Sequence, residues 1–137
     1  MLDKALEIAK AAHEGQVDVG GAEYINHPIE VAEHCEDEDA KIVDLLHDVI
    51  EDSKVTLDDL RSQGFKDEII EAIDIISGRS GIGYDEYLQS IKDNDLARVV
   101  KIQDLIHNSD LSRLRVVRDK DRNRVKRYEE ALEFLRS

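Results

Sequence analysis

Proline, cysteine and aromatic residues are scarce in this sequence, and each scarcity removes a class of explanation. Pro28 is the single proline and the β-branched runs are short, so helix is the expected class. Cys35 is the single cysteine; a lone thiol forms no internal disulfide, and no Cys/His cluster has zinc-finger spacing. No run approaches the ~18 apolar residues of a membrane span. The amphipathic start MLDKALEIAK lacks the apolar core of a signal peptide. A cytosolic, cytoplasmic protein without a membrane partner is expected. Lys and Arg number 19 against 32 Asp and Glu, a net charge of −13. Phosphate backbones are held by cations, so general nucleic-acid binding is excluded.

Apolar residues reach 41% although aromatics are only 4%, a balance that suits a folded chain rather than a disordered one. With 137 residues, one domain over positions 1–137 is expected, long enough to bury a core without staples. The charge is uneven. From Arg98 to Arg127 there are ten Lys/Arg and four Asp/Glu, mostly read as the solvated basic face of an amphipathic C-terminal pair of helices.

Periodicity predicts an all-α bundle of about seven or eight helices. Residues 3–14 place Leu6, Ile8, Ala9 and Ala12 near one face, and Gly15 suits the end. Residues 16–26 contain a Gly-Gly pair and no period, hence a loop. Pro28 starts a helix to about Cys35, and a third runs from about Glu38 to Asp52 with a stripe of Ile42, Leu45, Leu46, Val49 and Ile50. Thr56 with Asp59 opens a short helix ending near Gly64. Helices over 66–77, 84–92, 95–107 and 119–135 complete the set.

Three features carry chemistry. DLLHDVIEDS (44–53) puts His47, Asp48, Glu51 and Asp52 within a turn and a half, off the apolar stripe. Like charges at this spacing disfavour a helix by roughly 0.2–0.5 kcal/mol per pair, so either the face is simply exposed or an ion binds there. In YINHP, His27 precedes Pro28 and its backbone is held extended or in a turn. In VKIQDLIHN (100–108), Asp104 sits among Ile102, Leu105 and Ile106, where an unpaired carboxylate is costly. Lys101 or a metal ion are its candidate partners. His13, His34 with Cys35, and His107 read as structural residues, His107 projecting from another face than Asp104.

In the order His27, His47-Asp48, Asp104, these residues resemble the HD superfamily of metal-dependent phosphohydrolases. The chain is most similar to the RelA/SpoT-type hydrolase domain, including its small stand-alone members. The resemblance is carried by AAHEGQ (11–16), YINHP with Val31-Ala32, LLHDVIEDS (45–53), Tyr84 with Tyr87, and ARVVKIQDLIHN (97–108), covering most of residues 5–115. It implies that His27, His47, Asp48 and Asp104 bind one divalent ion, usually Mn2+ in this branch, and that Glu51 and Asp52 orient or deprotonate the attacking water. Asn108 matches a nucleotide-contacting position, Tyr84 lies on the matching helix, and Lys101, ahead of Arg98 and Arg113, is the cation expected to reach substrate phosphates. The implied partner is a nucleotide or related phosphorylated metabolite, and the closest implied reaction removes the 3′-pyrophosphate of guanosine tetraphosphate.

The departures cluster in VDVGGAEY (17–24). Asp18 stands where the branch has an arginine against guanine, and Gly21-Ala22-Glu23 replaces Gly-Glu-Pro. Leu105 stands where arginine is common. A nucleotidase or phosphodiesterase for another metabolite is the alternative reading, and a non-catalytic metal-binding regulatory module is a third. The glycine-rich SGRSGIG (77–83) lacks a phosphate-loop lysine and reads as a flexible loop at the pocket mouth.

Overall fold

The computed structural model describes residues 1–18, 20–78, 81–114 and 116–137, the Arg113 side chain excepted. Among these, the chain is all-α: α1 (Leu2–Ala12), α2 (Asn26–Glu33), α3 (Glu38–Asp52), α4 (Leu57–Ser62), α5 (Asp67–Ser77), α6 (Tyr84–Lys92), α7 (Asp95–Asn108) and α8 (Asp119–Arg136), with a 3₁₀ turn over Leu111–Arg113. Helix starts follow local chemistry. Asp37 accepts from the Asp39 N–H ahead of α3, and Asn94 from the Ala97 N–H ahead of α7. Thr56 and Asp59 exchange hydrogen bonds of 3.1 and 2.9 Å in a capping box that starts α4. Gly64 takes the tight turn between α4 and α5 at φ +94°, where a β-carbon would be strained.

The α2 start departs from expectation. Asn26, His27 and Pro28 are all helical, so His27 lies inside the first turn rather than extended before it. First-turn backbone N–H groups have no partner within the helix, so the missing proline N–H costs nothing there. The 16–26 loop is pinched by one antiparallel bridge between Val17 and Glu23.

α3 is the central helix, packed against α1, α2, α5 and α7. Its Ile42, Val43, Leu46 and Val49 are almost fully buried and meet Ile69, Ile73 and Ile76 of α5 in the apolar core. Burying each such side chain contributes about 1.5–3 kcal/mol. No helix among the described residues is long and apolar enough to cross a membrane.

Candidate metal centre

Because neighbours surround α3, its polar side is buried as well. Asp44, His47 and Asp48 are 0%, 3% and 8% exposed. The expected rim of polar residues off the apolar stripe is therefore an interior wall over most of its length; only Glu51 and Asp52, at the helix end, are exposed. Side chains on a helix lean toward its N-terminus, so the His47 ring lies over Asp44 one turn back. Its Nε2 is 4.0 Å from Asp44 Oδ1, and its Nδ1 is 3.4 Å from Asp48 Oδ1. His47, Asp48 and Glu51 each offer a ligand atom, all within 4.8 Å of one another.

α2 and α7 supply a second group. His27 Nε2 lies 2.8 Å from Asp104 Oδ1, both side chains buried. Lys101 Nζ stands 3.6 Å from the other Asp104 oxygen, with its ammonium 5.9 Å from the Tyr87 ring centroid. The Tyr24 hydroxyl joins the two groups by donating to Asp48 Oδ2 at 2.6 Å, with its ring 5.9 Å from that of His27.

His107 was expected to project away from this cluster and is instead part of its surroundings. Its ring stacks on His27 with centroids 4.6 Å apart, its Nδ1 contacts His27 Nδ1, and its Nε2 lies 2.7 Å from Glu30 Oε2. The α2–α7 packing brings the two rings together, a tertiary contact that position on α7 alone does not reveal. Tyr24 and Asp44 also escaped the sequence reading. For Asp44 a signal existed: a carboxylate inside the apolar run KIVDLLHDVI.

Electrostatics separate the carboxyls. Burial pushes Asp44 well above its ordinary 3.8, and Asp104 and Asp48 push it further. Glu51, exposed as a residue but with its carboxyl partly shielded from water, is raised to about 7 by that desolvation first, then by the charge of Asp48 and a hydrogen bond with it. Asp104 moves the other way: burial opposes its ionisation, but the His27 hydrogen bond, Lys101 and His47 outweigh burial and hold it below 3.8. For Lys101, burial works against the charge and is outweighed by Asp104, Tyr87, Glu51 and Asp48, so its ammonium is held above 10.5. The Tyr24 phenol is raised by burial and by Asp48.

Beside His27 opens a cavity of about 310 Å³, lined among others by Gln16, Asp18, Tyr24, Asn108, Arg124 and Tyr128. Asn108 thus faces the space next to the cluster. Asp18 faces it too, with Oδ1 accepting from the N–H groups of Gly20 and Ala22 at 2.8 and 3.1 Å. Tyr84 is 59% exposed and does not line this cavity. Lys101 is held against Asp104 rather than lining it. The expected loop at the pocket mouth lies partly outside the described residues, at Arg79 and Ser80, as does the Arg113 side chain. His13 is buried and its Nδ1 lies 2.9 Å from Gln16 Oε1.

The donor set fits a divalent metal. Both nitrogens of His47 and both oxygens of Asp44 are buried without a hydrogen-bond partner. Each such atom costs roughly 1–3 kcal/mol if nothing binds it. Imidazoles with carboxylates suit a borderline-to-hard ion.

The fold has a solved counterpart. A solved structure described as a metazoan ortholog of SpoT that hydrolyses ppGpp and plays a role in starvation responses superposes with a TM-score of 0.78 at 20% identity, covering 99% of this chain and 85% of that one. Sequence relatives include proteins named guanosine-3′,5′-bis(diphosphate) 3′-pyrophosphohydrolase. That of Borreliella burgdorferi is 44% identical over 75 residues, 52% of this chain. A GTP pyrophosphokinase of Streptomyces coelicolor is 28% identical over 120 residues, 78% of this chain. The chain spans about a tenth of the length of these relatives, 11% and 14% respectively. No family model matches the chain.

Proposed function

We propose that this chain is a metal-dependent phosphohydrolase that removes the 3′-pyrophosphate from guanosine 3′,5′-bis(diphosphate) or a close relative of it. The observation that carries the reading is the buried polar constellation: two imidazoles and two carboxylates from α2, α3 and α7, with both His47 nitrogens left unpartnered beside Asp48. His27, His47, Asp48 and Asp104 would hold the ion, with Mn2+ the expected metal. When bound, the ion supplies charge to polarise the phosphate and lower the pKa of water.

The remaining steps fall to the chain's own residues. Glu51, with its carboxyl near 7, is suited to take a proton from the attacking water at neutral pH. Asp52 follows it at the exposed end of the helix and orients that water. Water attacks the phosphorus joined to the ribose 3′ oxygen and the bond to that oxygen breaks; the proton taken from the water passes to the 3′ oxygen, leaving a hydroxyl, and the phosphoryl group departs as pyrophosphate carrying the water's oxygen. Lys101 offsets negative charge around Asp104, and Asn108 meets the nucleotide from the cavity wall. Tyr84, exposed on α6, would meet only the outer part of a substrate.

Asp18 favours a second reading, a nucleotidase or phosphodiesterase for another phosphorylated metabolite. A carboxylate pinned in its own loop faces the cavity where the resemblance calls for an arginine against guanine. The third reading, a metal-binding regulatory module without turnover, loses ground because Glu51 and Asp52 are both present. The deciding experiment incubates purified chain and Mn2+ with guanosine tetraphosphate, nucleoside mono- and triphosphates, and cyclic nucleotides. Pyrophosphate release from the tetraphosphate alone supports the first reading. Turnover confined to another phosphate ester transfers support to the second, and metal binding without turnover to the third.

A further inference from the structure

Asp44 is fully buried, and neither of its carboxyl oxygens has a hydrogen-bond partner. The nearest cation on its own helix, Lys41, donates to the Ala32 carbonyl at 2.7 Å instead. Such a carboxyl contributes nothing to stability: an unsatisfied buried acceptor disfavours folding, and an apolar residue of similar size would serve better. Asp44 offers no oxygen to the group whose ligand atoms converge, His47, Asp48 and Glu51; His27 and Asp104 stand outside that group as well. What it does face is the Nε2 edge of His47, 4.0 Å away, while the Nδ1 edge of the same ring faces Asp48 at 3.4 Å. Both ring nitrogens lack a hydrogen-bond partner, so the imidazole stands between two carboxyls with its tautomer unset.

We propose that Asp44 positions His47 by accepting a hydrogen bond from its Nε2–H, which leaves Nδ1 as the nitrogen that binds the metal. The present 4.0 Å separation is longer than a hydrogen bond, so the proposed bond requires the ring to turn toward Asp44. A histidine ligand usually donates its second ring N–H to a carboxylate or carbonyl, which fixes the tautomer, aims the ring and raises its basicity. Here donor and acceptor sit one turn apart on a single helix buried on its polar side, so their relative placement is set by α3 itself. This inference rests on the metal reading above and adds to it a residue that touches neither ion nor substrate.

The test is calorimetric titration of Mn2+ into the full chain as wild type, Asp44→Ala and Asp44→Asn, with thermal denaturation of each metal-free protein. The alanine variant is expected to bind Mn2+ roughly 10–100-fold more weakly, while its metal-free form melts no lower than wild type. Asparagine keeps an acceptor oxygen and is expected to recover most of the affinity. Wild-type affinity in the alanine variant overturns the proposal, as does equal loss in both variants. Absence of Mn2+ binding by the wild type would instead overturn the metal reading itself. Should the alanine variant fail to fold, nitrogen-15 NMR of Zn2+-loaded wild type decides: a protonated His47 Nε2 with the metal on Nδ1 supports the role, and the reverse tautomer ends it.

Discussion

The two buried faces of α3 form a controlled comparison, since they share one backbone, one length and nearly one degree of exposure. On its apolar side the helix presents Ile42, Leu46 and Val49, which belong to the core cluster and are at most 2% exposed. On the other side stand Asp44, His47 and Asp48, at most 8% exposed. The first face gains from leaving water. The second loses, because four of its polar atoms have no hydrogen-bond partner and like charges crowd within a turn. A protein retains such a face when binding something there offsets the cost, so the apolar side of α3 accounts for folding and the polar side marks the candidate binding site. Mutations should separate the two sides cleanly.

The largest effect is expected from Asp48→Ala, which removes a proposed ligand and the acceptor of the Tyr24 hydroxyl: bound Mn2+ and phosphate-ester turnover should both vanish, as metal analysis and a pyrophosphate assay would record. Next comes Glu51→Gln. If Glu51 handles the proton, turnover falls by about 10²–10⁴ while Mn2+ stoichiometry stays at one; parallel loss of the ion would make it a ligand instead. Leu46→Ala strikes the opposite face and should cost roughly 2–5 kcal/mol in denaturant unfolding, with Mn2+ affinity of the folded fraction unaltered. Tyr24→Phe should be milder, about 1.5–3 kcal/mol for a bond to a charged acceptor, read as a lower unfolding free energy in denaturant.

The smallest effect is in pH dependence. The Asp44 carboxyl holds its proton well above its ordinary 3.8, so the metal-free fold is favoured below that value and loses stability as pH rises through the folded-state pKa. Asp44→Asn has no such dependence. Metal-free Asp44→Asn should therefore melt higher than wild type at neutral pH, with the difference closing near pH 4; a constant difference across that range would contradict the assignment.

Much of this was legible from residue spacing. Helix α5, for instance, announces itself through Ile69, Ile70, Ile73 and Ile76, because a period of 3.6 needs no knowledge of neighbours. Helix starts were legible where a side chain caps its own backbone, as Thr56 does. For the candidate site, identity and order were enough to single out His27, His47-Asp48 and Asp104, all of which the fold buries on α2, α3 and α7. The site was illegible where contacts depend on crossing helices. His107 meets His27 only because α2 lies across α7, and Tyr24 reaches Asp48 only because the 16–26 loop folds back over α3. The burial of Asp48 and His47 was likewise hidden, since an amphipathic helix and a central one differ in what packs around them. His27 shows the limit of a local rule: pre-proline residues avoid the helical region, yet the first turn of α2 accommodates this one.

The most direct test is a crystal of the chain grown with Mn2+ and measured at a wavelength where manganese scatters anomalously. One peak bounded by His27, His47, Asp48 and Asp104, with the His27–Asp104 hydrogen bond replaced by two metal bonds, is the predicted result. A peak held by His47, Asp48 and Glu51 with His27 still bonded to Asp104, or no peak at all between α2, α3 and α7, would contradict it.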